Sequence, residues 1–383
     1  MELKRDNVAL LDNMELKRDN VALLDKICVY NFQISKVENY DYLLEAGIII
    51  VKEKQKNYIE IAGPGQYISS IRIKKTKYFD SFLYEVGKDG HPYGRMEMSV
   101  DDAVYHNLNC FTTIEYVEKL KEAKIYLKDE YGIIVNMGEC KYKSIEINKT
   151  IVINHKFSEY VRTIRLMMYL LPNRLRLREV EYMSESLHPY KASDYKMFPE
   201  TYAKILRGKE KRLEIKIYDK TKQLERYKIT VCHNFLRCEI TLNGSKIQEV
   251  LGDNGVYNVT DSVINNYFNS FIEQNFILEY EKYCEKRDRE IRKILRQHYK
   301  PGSHTWVRDV LLEVCDTELS NGIPLVLDVD EIISQLDCLK LLSKQCKYNA
   351  KKQFQTVCRE KCPTLDDGDS EKLSEIENKL LTK

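Results

Sequence analysis

A tyrosine set between two lysines is the arrangement in this 383-residue chain that points most directly to covalent chemistry. In Arg212 to Lys220, RLEIKIYDK, strand alternation places Glu214, Lys216, Tyr218 and Lys220 on one face and Leu213, Ile215 and Ile217 on the other. Ammonium groups on both sides of a phenol favour its phenolate, which lowers the pKa and makes the oxygen a better nucleophile. The same lysines suit holding a phosphate during attack. The pattern equally fits a solvent-facing strand whose lysines only keep it soluble.

Two further strands supply carboxylates. Tyr142 to Ile153, YKSIEINKTIVI, puts Ile145 and Ile147 on one side and Glu146 and Asn148 on the other. Phe235 to Leu242, FLRCEITL, puts Phe235, Arg237, Glu239 and Thr241 opposite Leu236, Cys238 and Ile240. If these strands are neighbours, Glu146 and Glu239 converge. Converging carboxylates repel, so a divalent ion, Mg²⁺ or Mn²⁺, is their natural companion. Cross-strand ion pairs with Arg237 are the alternative.

The elements that must position these residues form an α+β pattern: a mostly antiparallel central sheet with flanking helices, plus a small helical C-terminal unit. ICVYNFQI, GIIIVKE, NYIEIAG and SIRIKKT are strand-length runs separated by turn residues or charge. Gly63-Pro64-Gly65 lacks the Lys-Ser/Thr ending of a phosphate loop and reads as a turn. Helical spacing covers Ile114 to Glu130 and Phe157 to Leu171, where Pro172 ends it. Beyond Thr260 the pattern is helical through the charged stretch Glu279 to Tyr299, with further helices expected at Trp306 to Cys315 and Asp330 to Leu342. Trp306 reads as a core anchor of that unit.

Residues 1–26 are a tandem copy, MELKRDNVALLDN then MELKRDNVALLDK, and read as a short surface helix or frayed tail without a function. The expected divisions are therefore 1–26 for the copy, 27–276 for the α+β domain, 277–362 for the helical unit and 363–383 for a loosely held polar tail.

Composition bounds the partners. Net charge is only +2, yet Lys141 to Thr230 holds 21 Lys and Arg against 11 Asp and Glu, enough to neutralise several phosphates. Arg174, Arg176 and Arg178 in NRLRLRE share one face of an extended segment and suit a phosphate backbone; a solvated arginine edge explains them as well. The 27 tyrosines fit either a strand-rich fold or base stacking. Eleven scattered cysteines without CxxC or zinc-finger spacing suggest reduced thiols and a cytoplasmic setting. No apolar run has the length of a membrane span, so no membrane partner is expected.

The ordered set Ile145-Glu146-Ile147, then Ile217-Tyr218-Asp219-Lys220, then Leu236-Arg237-Cys238-Glu239 resembles the gene II/X family of phage and plasmid rolling-circle replication initiators, over roughly Lys141 to Phe276. The resemblance implies that Tyr218 is the nucleophile that becomes linked to the 5′ phosphate of a nick, with Lys220 beside it. It implies Glu146 and Glu239 as metal ligands, and Lys216, Arg237, Arg174, Arg176 and Arg178 as DNA contacts. Implied partners are a replication origin, single-stranded or hairpin, a host polymerase or helicase, and a second copy in a homodimer.

Two departures stand out. Ser144-Ile145-Glu146 replaces the family's usual Arg-x-Asp, and none of the seven histidines forms a His-hydrophobe-His metal motif. His155 and His233 lie near the expected site as bases or as structural residues. A DNA-binding regulator without chemistry, and a mobilisation or transposition nickase with the same tyrosine, fit the same residues.

Overall fold

The computed structural model describes residues 21–46, 49–51, 58–62, 68–74, 94–98, 110–171, 181–183, 201–205, 213–226, 229–300, 369–381 and scattered positions between 306 and 352. Arg174, Arg176, Arg178, the Gly63-Pro64-Gly65 turn and the helix expected at Asp330 to Leu342 lie outside them.

Among the described residues the chain is α+β, with helices flanking one antiparallel sheet. Eleven strands build it. They are β1 (Leu23–Val37), β2 (Ile49–Val51), β3 (Tyr58–Ala62), β4 (Ile68–Lys74), β5 (Gly94–Met98), β6 (Ile133–Asn136), β7 (Lys141–Ile153), β8 (Glu181–Met183), β9 (Thr201–Ile205), β10 (Leu213–Asp219) and β11 (Asn234–Asn243). Their spatial order is β2-β3-β4-β5-β1-β7-β11-β10-β9-β8, with β6 pairing separately on β1. The chemistry-bearing strands β7, β11 and β10 are thus consecutive neighbours.

Alternation sorts each central strand into two faces. Ile145, Ile147, Ile151 and Ile153 of β7, Leu236, Cys238, Ile240 and Leu242 of β11, and Leu213, Ile215 and Ile217 of β10 all enter one apolar core. Helices cover that face. They are α2 (Thr113–Tyr131), α3 (Val161–Leu170), α5 (Ser245–Leu251), α6 (Asp261–Ile272) and α7 (Leu278–His298); α1 (Tyr40–Glu45) and α4 (Lys220–Arg226) are short connections. The opposite face carries Glu146, Asn148, Thr150, Arg237, Glu239, Lys216 and Tyr218.

Local sequence fixes the helix ends. A capping box starts α2: Thr112 Oγ1 accepts from the Glu115 amide, and the Glu115 carboxylate accepts from the Thr112 amide at 3.0 Å. Gly132, with φ 63°, ends it in the left-handed region. A single π turn over Glu273–Ile277 joins α6 to α7.

Two expectations are corrected. Residues 23–26 of the duplicated segment are neither surface helix nor frayed tail: they begin β1, and Ala22 just before it is buried with Leu23, Leu24 and Asp25. Nor is 369–381 a loosely held tail. It forms α8 (Asp369–Leu381), because Leu373, Ile376 and Leu380 fall on one helical stripe and are buried in the main core. Trp306 is buried in the same core and packs edge-on against Tyr299 at 5.4 Å.

Candidate active site

The register of β1 against β7 builds one corner of the site. Leu23 opposes Asn148, Leu24 opposes Ile147, and Ile27 opposes Ile145. Three steps on β1 therefore span two on β7. The extra residue is a bulge, which leaves Leu24 and Ile27 both in the apolar core and turns Asp25 towards the polar face.

On the other side of β7, Glu239 opposes Asn148 and Thr241 opposes Glu146, so the two glutamates are diagonal neighbours. Carboxylate oxygens of Asp25, Glu146 and Glu239 all lie within 4.8 Å of one another. Sequence reasoning reached the two glutamates and missed Asp25, which sits in the repeat that had been set aside.

On β10, Lys216 opposes Glu239 and Tyr218 opposes Arg237. The Tyr218 hydroxyl donates to Glu239 Oε1 at 2.6 Å. The nucleophile candidate is therefore one hydrogen bond from the carboxylate cluster. Its electrostatics differ from the expectation of a lowered pKa. Burial pushes the Tyr218 phenol well above its usual range, the Glu239 charge adds to this, and Arg237 opposes it.

Both lysines are engaged with other groups. Lys216 ion-pairs with Glu214 at 3.3 Å; burial would lower its pKa, but the charges of Glu146, Glu214 and Glu239 outweigh that and raise it. Lys220 has left the strand plane: it is the first residue of α4, is buried, and donates to Gln223 Oε1 at 2.7 Å. Burial first, and repulsion from Arg237 second, bring its pKa down to about 7.

Arg237 is 0 % exposed. Its Nη1 donates to Asp25 Oδ2 at 3.0 Å and its Nε to Thr150 Oγ1 at 2.7 Å. This corrects its expected place on a DNA-facing surface: the guanidinium is committed inside the site, where it neutralises part of the acidic cluster. His155 and His233 are exposed and outside the cluster, His155 lying 3.7 Å from Glu159 and His233 packing against Phe235.

The fit of a cation can be judged from the carboxylates. Asp25 Oδ1 is buried with no hydrogen-bond partner, a costly state for an acceptor and a suitable one for a metal ligand. Burial raises the Asp25 pKa, Arg237 opposes this, and Glu239 adds to it. Three hard oxygen donors fit Mg²⁺ or Mn²⁺. The nearby Cys110 thiol accepts a hydrogen bond from Asn148 at 3.2 Å, and burial raises its pKa to about 12, so it stays a neutral neighbour.

No family model matches the sequence, and no curated protein matches it either. Among solved structures the chain is similar to a rolling circle replication initiator protein from Geobacillus stearothermophilus. That likeness has 10% identity and a TM-score of 0.30, covering 67% of this chain and 85% of the other. No helix among the described residues is long and apolar enough to cross a membrane.

Proposed function

We propose that the protein nicks one strand of DNA through Tyr218 and so initiates rolling-circle replication, as the phage and plasmid initiators that its motifs resemble do. The observation that carries this reading is the Tyr218 hydroxyl donating, at 2.6 Å, to a glutamate that belongs to a three-carboxylate cluster. A nucleophile, a proton acceptor and a cation site are there within one group of contacts.

Asp25, Glu146 and Glu239 would hold the divalent ion, which when bound supplies charge neutralisation at the scissile phosphate. In the transfer step the Tyr218 oxygen bonds to phosphorus as the bond from phosphorus to the 3′ oxygen breaks. The phenolic proton passes to Glu239, which already accepts it in a hydrogen bond. Its raised pKa means that Tyr218 attacks as a phenol losing its proton in the step, rather than as a standing phenolate. Lys220, with a pKa near 7, is balanced to give a proton to the leaving 3′ oxygen at neutral pH. Lys216, partly exposed beside Glu239, suits the substrate phosphate. The products are a free 3′ hydroxyl for a host polymerase and a 5′-phosphotyrosine link.

The test is incubation of the protein and of Tyr218→Phe with supercoiled and single-stranded DNA in the presence of Mn²⁺. Nicked DNA with a covalent adduct, both absent from the variant, is the expected result. Equal nicking by both proteins would move the nucleophile to another tyrosine. The Arg237–Asp25 pair favours one second reading, because a carboxylate already neutralised by arginine also suits a regulator that binds DNA without cutting it. Binding by both proteins without any nicking would select that reading. A mobilisation or transposition nickase would use the same residues on a different DNA end.

A further inference from the structure

Asn148 stands among the carboxylates of the polar face and carries no charge. It is two residues from Glu146 on β7 and directly opposite Glu239 on β11, and it is only 2 % exposed. A carboxamide nitrogen has two hydrogens to give, and here each has an acceptor. Asn148 Nδ2 donates to the Leu23 carbonyl of β1 at 3.2 Å and to Cys110 Sγ at 3.2 Å. The proposed nicking reaction gives this residue no task.

Those two bonds fall where the course of the chain into Asp25 is set. Leu23 and Leu24 are the last residues of β1 in register with β7 before the bulge, and Asp25 and Lys26 have no partner in that register. Leu24 is fastened to a second segment: its amide donates to the Phe111 carbonyl at 2.7 Å, and its carbonyl accepts from the Phe111 amide at 2.8 Å. Cys110 precedes Phe111, so the one carboxamide ties β7 to both strips of chain that meet at Leu24. Arg237 holds the Asp25 side chain through Oδ2, but the backbone that aims this side chain is held one and two residues earlier. Only an uncharged donor suits the position. An aspartate would have no hydrogen for either acceptor and would add a negative charge beside Glu146 and Glu239.

We infer that Asn148 is a positioning residue for the cation: it fixes the start of the β1 bulge, and through it the place of Asp25 among the ligands, without touching the ion itself. The inference rests on the cation site of the proposed reading and names what keeps that site in shape. Carboxylates that hold a metal are themselves oriented by neighbours, and loss of such a neighbour weakens metal binding by roughly 10- to 100-fold.

The experiment is a double-mutant cycle on Mn²⁺ affinity, read by the electron spin resonance of free Mn²⁺ with the full chain and no DNA. It compares the native protein, Asn148→Ala, Asp25→Asn and the double variant. Asn148→Ala is expected to bind Mn²⁺ roughly tenfold more weakly. Because Asn148 acts through Asp25, the double variant is expected to bind no more weakly than Asp25→Asn alone. Asn148→Thr keeps a β-branched side chain suited to the strand, with a hydroxyl one bond short of the Nδ2 position. It is expected to show the same loss, and it decides the matter if Asn148→Ala does not fold. Native Mn²⁺ affinity in either folded variant overturns the inference. Additive losses in the cycle also overturn it, because they would make Asn148 a ligand in its own right. A native protein that binds Mn²⁺ and does not nick DNA removes the nicking reading, while the cycle still decides this one. A native protein that binds no Mn²⁺ overturns the cation site and the inference together.

Discussion

Asp25 has two oxygens in two different situations. Oδ2 accepts from the buried Arg237, and Oδ1 has no hydrogen-bond partner. An isosteric amide keeps the first contact and loses the charge that a cation needs. Asp25→Asn is therefore expected to keep its fold and to bind Mn²⁺ roughly tenfold or more weakly, measured by the electron spin resonance of free Mn²⁺. Unchanged affinity would remove Asp25 from the ligand set. This residue was hidden from sequence reading for two reasons. It lies in a repeat that looked like an appendage, and strand alternation cannot announce the bulge that turns it inward. The trace available in the sequence is an acid breaking an apolar run, LLDKICV. Glu146, Glu239 and Tyr218 were legible because their strands alternate cleanly. The state of Tyr218 was not, since burial and the bond to Glu239 depend on neighbouring strands.

Among the elements, α8 holds the back of β7, the strand that carries Glu146. The Lys149 ammonium of β7, buried behind the site and lowered by that burial to a pKa of about 8, donates to the Leu380 carbonyl at 2.7 Å. Glu375 accepts from the Asn154 amide at 2.8 Å and from the Tyr160 hydroxyl at 2.6 Å, and Lys379 bonds both Glu375 and Asn154. Leu380→Ala and Ile376→Ala each remove a fully buried side chain and are expected to cost about 2–4 kcal/mol in chemical denaturation. A loss near zero would mean that α8 is not seated on the core. Polar composition masked this helix, although Leu373, Ile376 and Leu380 carry the helical period. The short strands β5, β6, β8 and β9 were also missed. Each has three to five residues, too few for alternation to declare itself.

At the scale of the whole molecule, the sheet separates two tasks. One face is apolar, covered by helices that include the last described element, and it fixes the positions of β1, β7, β11 and β10. The other face gathers charge from all four of these strands: Asp25, Glu146, Glu239 with Arg237, and Lys216 with Tyr218. No two of these strands are joined by a tight turn, so the site exists only once long-range pairing is complete. The α+β class was legible from the period of each segment, and the adjacency of the three motif strands was not, because pairing across intervening chain leaves no local signal. The most direct measurement is recovery of the covalent adduct formed with Mn²⁺ and single-stranded DNA, followed by proteolysis and mass mapping of the modified peptide. The account predicts a 5′-phosphonucleotide on Tyr218; an adduct on any other residue would contradict it.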